Sequence, residues 1–254
     1  MRFELTIRAS EEVEAYEAPL SSLQGLKLDM TDTDRASDPV ISAGWVRERF
    51  PEADVAIYIS ARHCGESGVD AGRGAFRKRV DDAKKNGIRR IMIVSGYPRG
   101  TFDSLEALHA MYDSRLADGL HVSCAYNPFY DPGRLREEQD RLRTKLGFAF
   151  VKEVSLQIGM DIGKVQKAVE FIRGIRPDIV LSGCVPAPAP DTLGALKANP
   201  LYGVFLPNSY LLNAEIAQEM TQELLRAFAK EHIEPIIYAA SPEDIMQTKA
   251  LFSV

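Results

Sequence analysis

From one end to the other, the chain alternates short apolar runs with longer amphipathic, charged stretches, and that rhythm restricts the folds open to it. Eight runs read as strands: 3–7, 25–30, 53–59, 90–94, 121–125, 151–157, 179–182 and 235–238. Several are almost continuously apolar, such as IMIV and DIVLS, which suits parallel strands buried on both faces. Between them, helical patterns occupy 40–50, 72–86, 104–118, 133–146, 162–176, 191–199 and 214–231. Asn86-Gly87 supplies a helix C-cap, Asp191 and Asn213 read as N-caps, and Pro177 stops the helix before it. The Pro-rich stretch 184–190 reads as a rigid loop leaving the seventh strand. Eight strand–helix units in 254 residues predict a single-domain α/β chain, a (β/α)8 TIM barrel spanning 1–254. An open doubly wound sheet is the competitor, but no G-x-G-x-x-G follows the first strand. The cluster Gly65, Gly68, Gly72 and Gly74 follows the third strand at the wrong spacing.

Net charge narrows the partners. Lys+Arg 31 against Asp+Glu 36 leaves −5, without the basic surface a nucleic-acid binder needs. No apolar run approaches the length of a membrane span, and the opening MRFELTIRAS reads as a strand and not as a signal peptide. The expectation is a cytoplasmic enzyme that acts on a small molecule, with no nucleic-acid or membrane partner and with homo-oligomer assembly left open. Cys64, Cys124 and Cys184 are widely scattered, so plain reduced thiols are expected and no metal site.

In a barrel of this kind, chemistry sits at the C-terminal strand ends. Glu4 lies inside the first strand pattern, either as an exposed edge carboxylate or as a confined one whose raised pKa suits a general acid. Asp29, Thr31, Asp32 and Asp34 form an acidic cluster, a solvated turn or a weak cation site. Tyr58, Ser60, Arg62 and His63 follow the third strand's apolar core. Gly96 lets a flat ligand approach the backbone, and Tyr97 can stack or hydrogen-bond. Tyr126 and Asn127 close the fifth strand, and an arginine-rich helix carrying Arg141 and Lys145 follows. The sixth ends in Gln157, then Gly159 and Asp161, where a glutamine suits hydrogen bonding to a heterocycle better than packing.

Taken in order, these strand ends resemble the methylenetetrahydrofolate reductase family. Phe3-Glu4 resembles the family's F-E-F opening, and the segment 58–62 (YISAR) its H-L-T-x-R/C strand end. Residues 85–91 and 95–98 are similar to its N-G-I-R-x-I and G-D-P elements. Residues 125–128 resemble A-Y/F-x-P, 142–145 the L-x-x-K helix, and VSLQIGMD (154–161) the I-T-Q-x-x-x-D element. The resemblance implies an oxidoreductase of one-carbon metabolism that interconverts 5,10-methylenetetrahydrofolate and 5-methyltetrahydrofolate. It implies FAD, making the chain a flavoprotein, with NAD(P)H as electron donor. It makes Glu4 the catalytic acid and places Gln157, Tyr97 and Asp161 on the folate. It puts Tyr58, Ser60, Arg62, Gly96, Tyr97, Tyr126, Arg141 and Lys145 around the cofactor. Three positions depart from the pattern: Tyr97 replaces the family aspartate, Tyr58 its histidine, and residues 238–242 (YAASP) its Y-T-x-N-R. Those departures leave three other readings open: a flavin-independent reductase, a folate-binding methyltransferase-type barrel without redox chemistry, and a barrel whose ancestral site has decayed. The acidic cluster adds a metal-dependent lyase.

Overall fold

The computed structural model describes residues 2–21, 25–31, 38–65 and 68–251. Eight parallel strands close into one barrel in chain order: β1 (Arg2–Leu5), β2 (Lys27–Met30), β3 (Asp54–Ser60), β4 (Arg90–Val94), β5 (His121–Tyr126), β6 (Val151–Leu156), β7 (Val180–Pro186) and β8 (Ile233–Tyr238). Pairing of β1 with β8, Glu4 opposite Tyr238, seals the sheet. The (β/α)8 expectation therefore holds. Helices α1 (Ser10–Ala15) and α2 (Glu17–Ser21) follow β1, and α3 (Pro39–Arg49) follows β2. After β3 come α4 (Ala61–Cys64) and α5 (Val69–Lys85), after β4 α6 (Ser104–Asp113), after β5 α7 (Pro132–Leu146), and after β6 α8 (Ile162–Ile175). β7 is followed by α9 (Pro190–Ala198), α10 (Asn208–Leu212) and α11 (Ala214–Lys230), and β8 by α12 (Pro242–Leu251).

Aspartates set several helix starts. Asp38, Asp103 and Asp131 each accept backbone N–H bonds at an N-cap, and Asn213 does so for α11. The cap of α9 is Ala189 instead of the expected Asp191, which sits in the first turn, where its charge suits the helix dipole. β7 runs on through Cys184 and Pro186, where the sequence suggests a loop. These residues pair in register with β8, and Ala187 N–H donates to the Tyr238 carbonyl at 2.8 Å. The helices α1 and α2, which the sequence does not suggest, fill the return from β1 to β2. Among the described residues, no helix is long and apolar enough to cross a membrane.

Strand alternation divides the residues into two shells. Phe3, Leu28, Ile57, Ile91, Val122 and Val154 belong to the main apolar core shared with the surrounding helices. The other set meets inside the barrel, and toward the strand N-termini it is charged. Arg2 reaches across from β1 to Glu153 on β6 (Nη1–Oε1 2.5 Å) and holds Asp29 on β2 through Nη2 at 2.8 and 3.1 Å. Glu153 also accepts from Ser182 (2.6 Å), meets His121 (2.9 Å) and pairs with Arg90 (3.3 Å). Burial alone would raise the Glu153 pKa, but the His121, Arg2 and Ser182 contacts outweigh it and hold the carboxyl well below its usual range. The Arg2 guanidinium loses hydration by burial, yet Asp29 and Glu153 raise its pKa above even the usual arginine value. Barrels of this type usually fill that space with branched hydrocarbon. Here the lower interior is an ion network.

Candidate active site

Above the ion network, at the strand C-termini, a cavity of about 540 Å³ opens. Its size suits a single small organic ligand. Glu4, Tyr58, Ser155 and Cys184 line its deep end, Gln157 and Ile158 one wall, and Gly96 and Tyr97 another. The interior phase of β1 places Glu4 there, half-buried and directly opposite Asp29 in the β1–β2 register. Glu4 Oε2 lies 3.2 Å from the Tyr58 hydroxyl and 3.6 Å from the Cys184 thiol, which donates to it. Burial, with the Asp29 charge adding to it, pushes the Glu4 carboxyl up to about 7, while Tyr58, Cys184 and Arg2 work against that rise. A carboxyl that exchanges its proton near neutrality is matched to acid–base work. Burial pushes Asp29 up too, but the charge and hydrogen bonds of Arg2 oppose it.

Across the cavity, Gln157 Oε1 accepts from Ile158 N–H at 3.0 Å, which fixes the amide. Its Nε2 has no protein partner among the described residues, so the amide can donate to a ligand. Asn127, visible in the sequence only as an amide at a strand end, pins the loop that follows α9. Its Nδ2 donates to the Gly203 carbonyl at 2.8 Å, while its Oδ1 accepts from Phe129 N–H at 3.1 Å. That loop carries Leu201, Tyr202 and Val204 over the mouth. Tyr202 stacks on Tyr97 with ring centroids 3.4 Å apart. Arg134 lies 4.3 Å from the Tyr130 ring centroid and hydrogen-bonds the Tyr202 hydroxyl. Sequence reasoning misses Tyr130, Tyr202, Ser155 and Cys184 as site residues, and shows Arg134 only as one of the charges on the arginine-rich helix after the fifth strand. Only Ser155 has a local signal, lying two residues before Gln157 in the sixth strand pattern.

Several expected site residues lie elsewhere. Asp161 is exposed and caps α8, accepting from Lys164 N–H at 3.0 Å, because a carboxylate just before a helix meets free amides. Tyr126 borders the cavity, but its ring lies in the outer shell against Phe171 (centroids 6.2 Å), one residue out of phase with the inward Ala125. Arg141 is spent on Asp103 at 2.9 Å, and Arg62 on the Tyr97 carbonyl; neither lines the cavity. Ser60 is buried at the end of β3 and also stays outside the lining. Gly96, at φ +77, packs so closely against it that a Cβ there would collide with the Ser60 Oγ. Lys145 does border the cavity, but it is buried and donates to the Ala125 carbonyl at 2.9 Å. Asp32 and Asp34 of the acidic cluster lie outside the described residues. Asp29 belongs to the ion network, and among the described residues no group of three His, Cys, Asp or Glu side chains could hold a metal ion.

These placements bear on FAD, which needs cations free to meet a diphosphate. Arg141 and Lys145 are committed, Arg99 pairs with Glu137 at 2.6 Å, and Glu137 and Glu138 border the same cavity. Two carboxylates beside a diphosphate repel it. The two cations that the resemblance assigns to the FAD diphosphate are thus engaged within the protein, while Arg134, which lines the same cavity, hydrogen-bonds the Tyr202 hydroxyl.

The sequence matches no family profile and no curated protein. The fold is similar to that of a Clostridium thermocellum protein that binds two copies of 5-methyl-5,6,7,8-tetrahydrofolic acid. The TM-score is 0.73 at 13% identity, over 98% of this chain and 92% of that one. It is also similar to a GH18 chitinase from Pseudoalteromonas aurantia (0.57, 8%, 99% of each chain). A third likeness is to dihydropteroate synthase from Thermus thermophilus in complex with 6HMPPP (0.51, 11%, 100% and 91%). Identities this low speak for the shared barrel, and barrels host unrelated chemistries.

Proposed function

We propose that the cavity binds a reduced folate and that Glu4 is the proton donor in a one-carbon conversion, 5,10-methylenetetrahydrofolate to 5-methyltetrahydrofolate or its reverse. The single observation that carries this reading is the Glu4 carboxyl at the cavity's deep end, raised to about 7 and facing the Gln157 amide across the same space. The pterin edge presents donors and acceptors that a fixed glutamine satisfies. A barrel of similar fold binds a methylated tetrahydrofolate, which supports the same ligand class here.

The substrate's five-membered ring has to open before its bridging carbon accepts hydride. Glu4 delivers a proton to the leaving ring nitrogen, the carbon–nitrogen bond breaks, and an iminium cation forms at the other nitrogen. Hydride from NAD(P)H then adds to the iminium carbon, leaving a methyl group and the oxidised nicotinamide. Because Arg141 and Lys145, the cations that the resemblance assigns to FAD, are engaged within the protein, hydride is taken here from the nicotinamide directly. The protein's part is orientation, since small misplacements of the reacting carbon are costly. The test is anaerobic oxidation of NADH and NADPH with 5,10-methylenetetrahydrofolate and no added flavin. Folate-dependent oxidation is the expected outcome.

The commitment of Arg141 and Lys145 also favours a second reading, a barrel that binds methyltetrahydrofolate without any redox step. Calorimetric binding of 5-methyltetrahydrofolate with no nicotinamide oxidation would select it. Absence of both binding and turnover would remove the folate altogether.

A further inference from the structure

The Tyr58 hydroxyl lies 3.2 Å from Glu4 Oε2 and 3.2 Å from Asp29 Oδ2, and it has one proton to give to two carboxyl groups. Asp29 is gripped by Arg2 Nη2 at both oxygens, an arrangement that calls for a carboxylate. The Tyr58 proton therefore belongs to Asp29. That leaves Glu4 Oε2 facing the Tyr58 hydroxyl oxygen with only the weak Cys184 thiol donor, 3.6 Å away, an arrangement that favours a proton on Glu4 itself. Were both carboxylates charged, side by side in β1–β2 register, they would share the one Tyr58 proton and Glu4 would keep only the weak thiol contact.

We propose that Asp29 and Tyr58 are positioning residues that hold a proton on Glu4, through a chain from Glu4 Oε2–H to Tyr58 Oη and from Tyr58 Oη–H to Asp29 Oδ2. The role in turnover rests on the reading of Glu4 as proton donor. When Glu4 gives its proton to the ligand, Tyr58 can rotate its own proton toward the new carboxylate, so the same hydroxyl serves both states. With this polarity the Tyr58 contact favours the protonated Glu4 instead of opposing it. The other groups facing Glu4 fit the arrangement. Cys184 on β7 is a neutral thiol donor, Tyr238 on β8 is a neutral phenol in register with Glu4, and Arg2 on β1 is engaged by Asp29 and Glu153.

Infrared difference spectra of the full chain without ligand, titrated with pH, read this directly. A protonated-carboxyl band, assigned by its loss in Glu4→Gln, is expected at neutral pH with a midpoint near 7. Asp29→Asn removes the negative neighbour and should lower that midpoint by about one pH unit or more. Tyr58→Phe removes the acceptor of the Glu4 proton and should lower it too. A wild-type band already lost at pH 5, or a Tyr58→Phe midpoint that stays or rises, overturns the chain. If Asp29→Asn does not fold because Arg2 loses its partner, Tyr58→Phe decides alone. The spectra need no folate. Failure of 5-methyltetrahydrofolate to bind, with the band behaving as described, would remove the folate and keep the chain. Normal folate binding with an immovable band would do the opposite.

Discussion

Tyr97 and Tyr202 stack nearly parallel, their planes 14° apart, although one follows β4 and the other follows α9. The pair joins two loops across the cavity mouth, and each ring is about half exposed. Arg134 adds a cation–π contact to Tyr202, with 5.4 Å to the ring centroid.

Removing one ring should open the mouth and cost ligand affinity. Tyr202→Ala is expected to weaken 5-methyltetrahydrofolate binding by about 0.5–1.5 kcal/mol, the usual worth of an aromatic pair. Isothermal titration calorimetry reads it, and Tyr202→Phe should retain most of the affinity. Equal affinity in all three proteins would show that the stack is only a surface contact.

Glu4 has two pH consequences. Its folded value, about 7, lies above the ordinary 4.5, so the protonated form is favoured in the fold. That contribution to stability is complete below about 4.5 and disappears as pH rises through 7. Glu4→Gln should therefore be more stable than wild type at pH 8, by up to about 3 kcal/mol, with the gap closing in acid. Chemical denaturation at several pH values gives the comparison.

The same variant should lose turnover by about 10²–10⁴-fold, the range expected for a missing general acid. Folate affinity should remain within about tenfold. Wild-type turnover of methylenetetrahydrofolate should fall as pH rises through 7, because the active form is protonated. Full activity in Glu4→Gln would take this residue out of the mechanism.

Gln157→Ala should weaken folate binding by roughly 1–3 kcal/mol, the cost of an unmade buried hydrogen bond. The fold should be little affected, since the only bond this side chain makes to protein among the described residues is with its neighbour Ile158. Unaltered folate affinity would refute the assignment.

Arg2→Met leaves Asp29 and Glu153 without their shared cation. Breaking a buried ion network from one side costs about 3–5 kcal/mol. Urea unfolding should show that loss, and Arg2→Lys should recover only part of it, because a single ammonium cannot reproduce the guanidinium fork. A change below about 1 kcal/mol would mean that the network is dispensable.

The barrel is legible because parallel strands covered on both faces leave runs such as 91–94 in the sequence, and because Asn86-Gly87 and Asn213 mark helix ends and starts. Glu4 and Gln157 are legible as polar residues in strand patterns that packing does not explain. The ion network is not, since Arg2 meets Glu153 across 151 residues of chain and no local spacing links them. Asp161, Arg141 and Tyr126 illustrate the converse. A motif can match while the side chain is diverted to a cap, an ion pair or the opposite shell. Tyr202 comes from a loop whose position depends on Asn127 and Gly203, a contact over 76 residues.

Arg2, Asp29, Glu153 and His121 form a continuous chain of ion pairs and hydrogen bonds from the strand N-termini to Tyr58 beneath the cavity. His121, about one-third exposed, is therefore joined to Tyr58 through Glu153, Arg2 and Asp29 although it sits at the far end of its strand. A substitution at that distant opening, at His121 or Arg90, therefore removes a partner from buried Glu153 and with it part of what holds Arg2 in place beneath the cavity.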